Sequence, residues 1–501
     1  MFVDRSDEIA ERAPFKGYGV AVTPGVDGPC ALVAGHGYAN RLFTWRDGQL
    51  RDVAPTAVAD EDRHAVGVAA GDLDADGTEE LYVHNADSYA GETTDPDLLL
   101  DPVADAPDRA DGRWRDLFGC RVNAGRDNRY AGRSVAVVDR YGTGRYGVVV
   151  AGHGAPCRFY ELGDDGALSD MAETVGISLT AHCQSLLAGP IVSERTDLFV
   201  GVHDGPNRLF RNDGGHFTEV AATVGLDAPA VDARGVTRVD DALALCSWEG
   251  PNCLLYSPGA GSTRPDAGAV ASDDGRSVVT GGTGGWRSVV ADGTGGSRAG
   301  RQRFRDQTPA CVAEPSWIRT AVATDFDNDG NDELLFVRLG AANRLFRRHD
   351  EPHGSRWASV DPGDAAEPSG LGTGAAVADF DGDGVRELLV VHGEVEPRPV
   401  SLYAAADPGD RWLRVRPLTR LGAPARGATV TVETDSFTRR RTICAGSGYL
   451  CQMEPVAHVG LGDATPRRLR VRWPDGRERT VERPAVCREH EFYHPSCESA
   501  S

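Results

Sequence analysis

Three stretches of the chain gather carboxylates in one register. Asp72-Leu-Asp-Ala-Asp-Gly-Thr-Glu-Glu80, Asp325-Phe-Asp-Asn-Asp-Gly-Asn-Asp-Glu333 and Asp379-Phe-Asp-Gly-Asp-Gly-Val-Arg-Glu387 carry acids at positions 1, 3, 5 and 9, with glycine at position 6. A tight loop of alternating carboxylates turns several oxygens onto one point, and the glycine permits the bend. That is a cage for a hard, oxygen-seeking cation. The expected ligands are Asp72, Asp74, Asp76 and Glu80, with the backbone carbonyl of Thr78 between them. The second set is Asp325, Asp327, Asp329 and Glu333 with Asn331, and the third Asp379, Asp381, Asp383 and Glu387 with Val385. Ca²⁺ is the expected ion, with Mg²⁺ the alternative, although Mg²⁺ prefers a smaller octahedral shell. The bland alternative is an Asp-Gly hairpin turn with no metal. An empty turn of that kind would crowd carboxylates with nothing to offset their repulsion.

The EF-hand also begins D-x-D-x-D-G, but it needs a bidentate Glu at position 12 and a helix on each side. Position 12 here is Val83, Phe336 or Val390, and the flanks are apolar and strand-like, as in Ala321-Val-Ala-Thr and Leu334-Leu-Phe-Val. The unit is therefore strand, metal loop, strand. It resembles the FG-GAP/VCBS repeat, the calcium-loop unit of integrin-type β-propellers.

A longer unit repeats along residues 17–405: apolar strand, acidic turn, apolar strand, then Asn-Arg-Leu-Phe and a polar turn. Asn40-Arg-Leu-Phe43, Asn207-Arg-Leu-Phe210 and Asn343-Arg-Leu-Phe346 are the clean copies, while Cys157-Arg-Phe-Tyr160 and Ser401-Leu-Tyr403 are worn ones. Units begin near residues 17, 64, 133, 185, 235, 319 and 373. Most intervals match four-stranded propeller blades of roughly 40–50 residues. The expectation is an all-β, seven-bladed propeller over residues 15–407, with insertions near 86–130 and 257–300, the latter long enough to hide an eighth blade. Asp139-Arg-Tyr-Gly-Thr-Gly, Thr23-Pro-Gly-Val-Asp-Gly and Asp240-Asp-Ala-Leu are incomplete versions of the loop and are assigned no metal.

The pattern changes after Asp407-Pro-Gly-Asp410. Residues 411–490 hold 16 Arg against 8 Asp and Glu, a balance of +8, so the remainder of a chain at −22 stands at −30. Alternating stretches such as Trp412-Leu-Arg-Val-Arg and Leu469-Arg-Val-Arg-Trp predict a second, small all-β domain. Ala445-Gly-Ser-Gly-Tyr-Leu-Cys-Gln452, His458-Val-Gly-Leu-Gly-Asp463 and Val471-Arg-Trp-Pro-Asp-Gly476 resemble the signature segments of the ASPIC/UnbV domain. Gly422-Ala-Pro-Ala-Arg-Gly-Ala-Thr-Val430 departs from that family's usual Asn-containing run. The charge contrast and the apolar Trp412 predict that this domain docks on the propeller. FG-GAP repeats followed by ASPIC/UnbV resemble the cartilage acidic protein 1-like family. The resemblance implies calcium-dependent structure and interaction with a protein or glycan, and no defined reaction.

Lys16 is the only lysine. An acidic, lysine-poor surface suits solubility at high salt, as in a halophile; codon bias of a GC-rich genome would also favour arginine. The charge argues against nucleic acid as the main partner. No apolar run approaches the roughly 20 residues of a membrane span, and the first residues lack a signal peptide's basic and apolar regions. Eleven cysteines without a CxxC pair indicate neither a disulfide framework nor a zinc site. The expected location is cytoplasmic, with an extracellular one implied by the family resemblance. The thiols are expected to be mostly reduced, although Cys444 and Cys451 could meet across a hairpin.

No nucleophile elbow or phosphate loop is present, and the expected function is non-enzymatic: a calcium-binding propeller scaffold. One constellation points elsewhere. His36, His153 and His203 stand at the same place in their units, four residues before Asn40, Cys157 and Asn207. They are either plain caps beside glycine turns, or a propeller face that binds a transition metal or an anionic ligand, as an enzyme or ligand-binding protein would.

Overall fold

The computed structural model describes residues 1–103, 114–227, 232–257, 303–351 and 354–500. Short runs of β-branched and small apolar residues, cut by Gly- and Asp-rich turns, form antiparallel strands throughout the N-terminal four-fifths of the chain. Among the described residues these strands make seven four-stranded units. Their first strands are Gly17–Pro24, Ala65–Gly71, Gly132–Val138, Thr180–Gly189, Ala233–Val239, Ile318–Thr324 and Gly372–Ala378, close to the starts expected from the repeat. Each first strand packs on the next, and Gly372–Ala378 packs back on Gly17–Pro24, so the ring closes.

The last unit borrows a strand. Phe2–Asp4 pairs antiparallel with Tyr403–Ala405, and Phe2 sets its ring edge-on to Phe326 at 4.8 Å. The ring thus takes in residue 2, ahead of the expected start at 15, and its first and last strands share one sheet. The Asn-Arg-Leu-Phe motif has a structural task. Asn40, Asn207 and Asn343 accept from the backbone N–H of Gly35, Val202 and Arg338 at 2.8, 3.0 and 2.9 Å, tying the turn between second and third strands. Asn252 of Asn252-Cys-Leu-Leu does the same to Ser247 at 3.0 Å, a copy hidden by its changed neighbours.

The stretch 86–130 is not one insertion. It holds Leu98–Pro102 and Trp114–Asp116, the third and fourth strands of the second unit. Acidic and proline residues around these short strands mask their pattern. In the fifth unit Cys253–Tyr256 pairs with Arg305–Asp306, so the chain leaves and rejoins one sheet. The expected insertion or eighth blade at 257–300 lies, except for Ser257, outside the described residues.

Beyond residue 411 two sheets face each other. Trp412–Pro417 lies between Ala457–Gly460 and, in parallel, Arg488–Phe492; Thr429–Thr434 lies between Thr438–Thr442 and Pro466–Arg472, which pairs on to Glu478–Glu482. Leu413, Val430, Val432, Leu469, Val471 and Trp473 fill the core.

From this domain the segment 444–454 runs into the axial channel of the ring. The first strand of each unit is a sheet edge whose inward polar groups need partners, and this segment supplies them. Ala445 exchanges backbone hydrogen bonds with Ala188, Gly448 with Val236, and Gln452 bonds to Val20 and Val22. The Gln452 side chain donates to the Ala70 carbonyl at 2.9 Å. The N–H groups of Leu450 and Tyr449 donate to Ser134 and Thr320 hydroxyls, each at 2.9 Å. Glu454 donates to the Val377 carbonyl. One loop therefore touches the inner strand of every unit. Cys444 and Cys451 sit apart on this loop as free thiols, not as the disulfide a simple hairpin would allow. Cys444 faces Gly189 and Cys451 faces Gly374, in different units.

Candidate metal centres

The three acidic loops join first to second strands of the second, sixth and seventh units, on the end of the ring where the C-terminal domain sits. Asp72, Asp74, Asp76 and Glu80 bring carboxylate oxygens within 4.8 Å of one another; so do Asp325, Asp327 and Glu333, and Asp379, Asp381 and Glu387. Asp329 and Asp383 stand outside these clusters. Their carboxylates accept from the N–H of Asn331 and Val385, each at 2.7 Å, which shapes the turn. Thr78 makes the equivalent bond to Asp76.

The loop geometry follows from the sequence. Position 1 accepts the N–H of the glycine at position 6: Asp72 from Gly77 at 3.0 Å, Asp325 from Gly330 at 2.9 Å and Asp379 from Gly384 at 3.1 Å. That closure requires the positive φ of 93°, 92° and 88° at these glycines. The glutamate at position 9 clamps the loop through one oxygen, which accepts from Leu73, Phe326 or Phe380. The other oxygen faces the cluster. Glu80 Oε1, Glu333 Oε1 and Asp379 Oδ1 are buried without a hydrogen-bond partner. Orphaned anionic oxygens converging in a tight loop fit a divalent cation.

Burial sets the electrostatics. It pushes the carboxyls of Asp72 and Asp325 up to about 7 and that of Asp379 up to about 6. Glu80, Glu333 and Glu387 are raised well above the carboxylate range by burial and then by their acidic neighbours. The loops differ in what else reaches them. Arg5 meets Asp381 at 2.9 Å and Glu387 at 3.1 Å. Arg347 bridges Asp327 and Glu333. Among the described residues no arginine pairs with Asp72, Asp74, Asp76 or Glu80. The incomplete loop at Asp139 closes without such a cluster, its carboxylate accepting from Gly142, Thr143 and Gly144.

The C-terminal domain rests on these loops. Gly460 donates to Asp325 Oδ2 at 2.7 Å, and His458 Nε2 lies 2.6 Å from Asn328 Oδ1. Arg439 donates to the Gly330 carbonyl and to Asn331 Oδ1, each at 2.6 Å. A Cβ at Gly384 would run into the Trp412 ring, so the apolar docking contact expected of Trp412 is made there. Arg426, in the segment that departs from the family pattern, pairs with Glu79 at 2.7 Å, both fully buried. Arg441 joins Asp240 and Asp332 at 2.6 and 2.8 Å. The Trp412 contact apart, none of these partners is legible in local sequence, since each pairs residues more than 100 positions apart.

The histidines lie at the other end of the ring. His36 packs on Tyr18 and His64, with ring centroids 5.1 and 4.8 Å away. His153 stacks on His182 at 4.7 Å, which the sequence reading missed, and His182 leads to His203 at 6.4 Å. His203 Nδ1 lies 2.6 Å from Asp232. Burial lowers His36 and His153 to about 4. The structure thus makes a pair and a row, not the single His36, His153, His203 constellation.

The ASPIC and UnbV model matches residues 419–499, and the FG-GAP-like repeat model matches 30–83 and 325–390. Cartilage acidic protein 1 of Xenopus tropicalis, Mus musculus and Homo sapiens are each 36% identical over 495 residues, covering 92% of this chain and 70%, 71% and 69% of theirs. Among solved structures, BBS1N in complex with ARL6DN aligns over 81% of this chain and 99% of that one at 12% identity and a TM-score of 0.43, too low to bear on function. Repeats, signature domain and overall identity agree: the chain belongs to the cartilage acidic protein 1 family.

Proposed function

We propose that the protein is a non-enzymatic scaffold: a Ca²⁺-stabilised propeller, locked at one end by its C-terminal domain, that holds a protein or glycan partner. The observation that carries this reading is the set of buried carboxylate oxygens with no hydrogen-bond partner, Glu80 Oε1, Glu333 Oε1 and Asp379 Oδ1, one in each loop, of which Glu333 Oε1 has Arg347 Nε as an ion-pair neighbour at 3.3 Å. A cation there would neutralise the repelling carboxylates and stiffen the surface on which the C-terminal domain rests. The ring itself, plugged along its axis, would then present a rigid rim. A cytoplasmic protein would need tight sites or Mg²⁺ in them, whereas an extracellular one could fill weaker sites. The test is thermal melting after EGTA treatment, then with added Ca²⁺ or Mg²⁺, in wild type and Asp327→Ala. A lower midpoint in EGTA, restored by Ca²⁺ and less so in the variant, is expected. An unchanged midpoint throughout would leave the loops as plain turns.

A further inference from the structure

The segment 444–454 fills the axial channel from one end and leaves a cavity of about 240 Å³ at the other, comparable to the share of about eight liquid water molecules. Tyr449 and Leu450 line it together with Tyr18, Arg133, Arg234 and Arg319. The three arginines occupy corresponding points of three units, where the first strand bulges against the second: between Gly132 and Val135, Ala233 and Gly235, and Ile318 and Thr320. A bulge re-aims a side chain out of the sheet. The same point carries Tyr18, Val66, Gln184 and Thr373 in the other units.

These arginines are buried, at 7%, 8% and 4% exposure for Arg133, Arg234 and Arg319. Aromatic faces do most of the holding. Arg234 lies 4.4 Å from the Trp248 ring centroid and 5.3 Å from that of Tyr449, Arg319 lies 5.1 and 5.5 Å from the same two, and Arg133 lies 4.7 Å from Tyr89. Rings orient a cation without cancelling its charge. Arg133 otherwise donates to the carbonyls of Gly132 and Tyr89, and Arg234 to Gln184 Oε1. Two carboxylates line the cavity: Glu394, paired with Arg319, and Asp87, which accepts from Thr94. The formal balance of arginines over acids is positive, and Arg234 Nε and Arg319 Nε are buried with no hydrogen-bond partner. Burial alone would raise the Tyr449 phenol, yet Arg234, Arg133 and Arg319 hold it below its ordinary value.

We propose that this mouth binds a compact organic anion, its carboxylate or phosphate group received by Arg133, Arg234 and Arg319 over the floor made by Tyr449. Guanidinium forks match both head groups, and the burial of these arginines strengthens the contact. The cavity is far too small for a folded partner, and its floor belongs to the C-terminal domain, so both domains build the site. It is separate from the metal loops and does not depend on their occupancy.

The experiment is calorimetric titration of the full chain in Ca²⁺-containing, low-salt buffer, with succinate and methyl phosphate as probes and glycerol as the neutral control. Saturable one-to-one binding of either anion, weakened at least tenfold in Arg234→Gln and in Arg133→Gln, is the expected result; the tighter probe identifies the head group. Arg133→Gln carries the test if Arg234→Gln fails to fold, because among the described residues the Arg133 guanidinium is held by two backbone carbonyls and a tyrosine face. No saturable binding of either anion at millimolar concentration, or wild-type binding by a folded variant, would overturn the proposal.

Discussion

The two ends of the axial channel treat arginine in opposite ways. At the loop end, Arg426 meets Glu79, Arg441 meets Asp240 and Asp332, and Arg414 meets Glu454 at 2.6 Å and Asp379 at 3.3 Å. At the open end Arg319 pairs with Glu394, but Arg133 and Arg234 rest on aromatic rings and polar groups without a carboxylate partner among the described residues. Buried charge is retained only where something repays its desolvation. Carboxylates repay it within the chain at the loop end, where arginines fasten one domain to the other. Rings repay it in part at the open end, where the remaining attraction is available to an anion from outside. Charge of one sign therefore marks a joint in one place and a receptor in the other.

If the joint is real, breaking it should have the largest effect. Arg426→Met takes the buried guanidinium from Glu79, which keeps the Thr23 hydroxyl but no cation to offset its charge in this pair, and should cost about 3–5 kcal/mol in urea unfolding. Adding Glu79→Leu should recover most of that loss. A single variant within about 1 kcal/mol of wild type would mean that the pair is not a fastening.

Removing calcium is next. At a hundredfold excess over Kd each occupied site should contribute about 2.7 kcal/mol, which EGTA would abolish. The loops should not be equal. The 72–80 loop clusters four acids without an arginine partner among the described residues, whereas Arg347 bridges Asp327 and Glu333. Asp74→Asn should therefore lower the Ca²⁺-dependent gain in midpoint more than Asp327→Asn. Equal losses would show that Arg347 does not stand in for part of the ion's charge.

Proton concentration should separate the metal-free and loaded states. Burial raises Asp72 and Asp325 to about 7, so the folded, metal-free chain binds more protons than the unfolded one between the ordinary carboxylate value and about 7. Its stability must then fall as pH rises through that window. The expected midpoint in EGTA is higher at pH 5.5 than at pH 8, and saturating Ca²⁺, which favours ionised ligands, should reverse the order. The same order with and without Ca²⁺ would contradict the assignment of these acids as ligands. The smallest effect belongs to the open end. Arg133→Gln should change stability by only about 1 kcal/mol, since it removes a cation–π contact and a buried charge together; a loss near that of Arg426→Met would make Arg133 a structural fastening.

The metal loops and the unit boundaries were legible because both are local: Asp325 to Glu333 is a turn read within nine residues, and each unit begins with an apolar run. The joint was not. Ala445 to Gln452 reads as a glycine-rich loop, and its partners are edges contributed by separate strands from Val20 to Val377. The charge contrast predicted that the domain docks, but not that backbone pairing inside the channel would hold it. The arginine mouth left a fainter trace. Arg133, Arg234 and Arg319 each fall at the start of a unit, so superposing the units on their first strands would have aligned them. His36, His153 and His203 were aligned in that way and do lie toward the open end, but a shared position along the repeat spreads residues around a ring. Only His36 of the three lines the cavity.

The most direct measurement is the number of Ca²⁺ ions bound by chelator-stripped protein in equilibrium dialysis. The three-cluster geometry predicts three per chain, one for each cluster, and two in the Asp74→Asn variant. Stripped wild-type protein that remains folded and takes up none would contradict it.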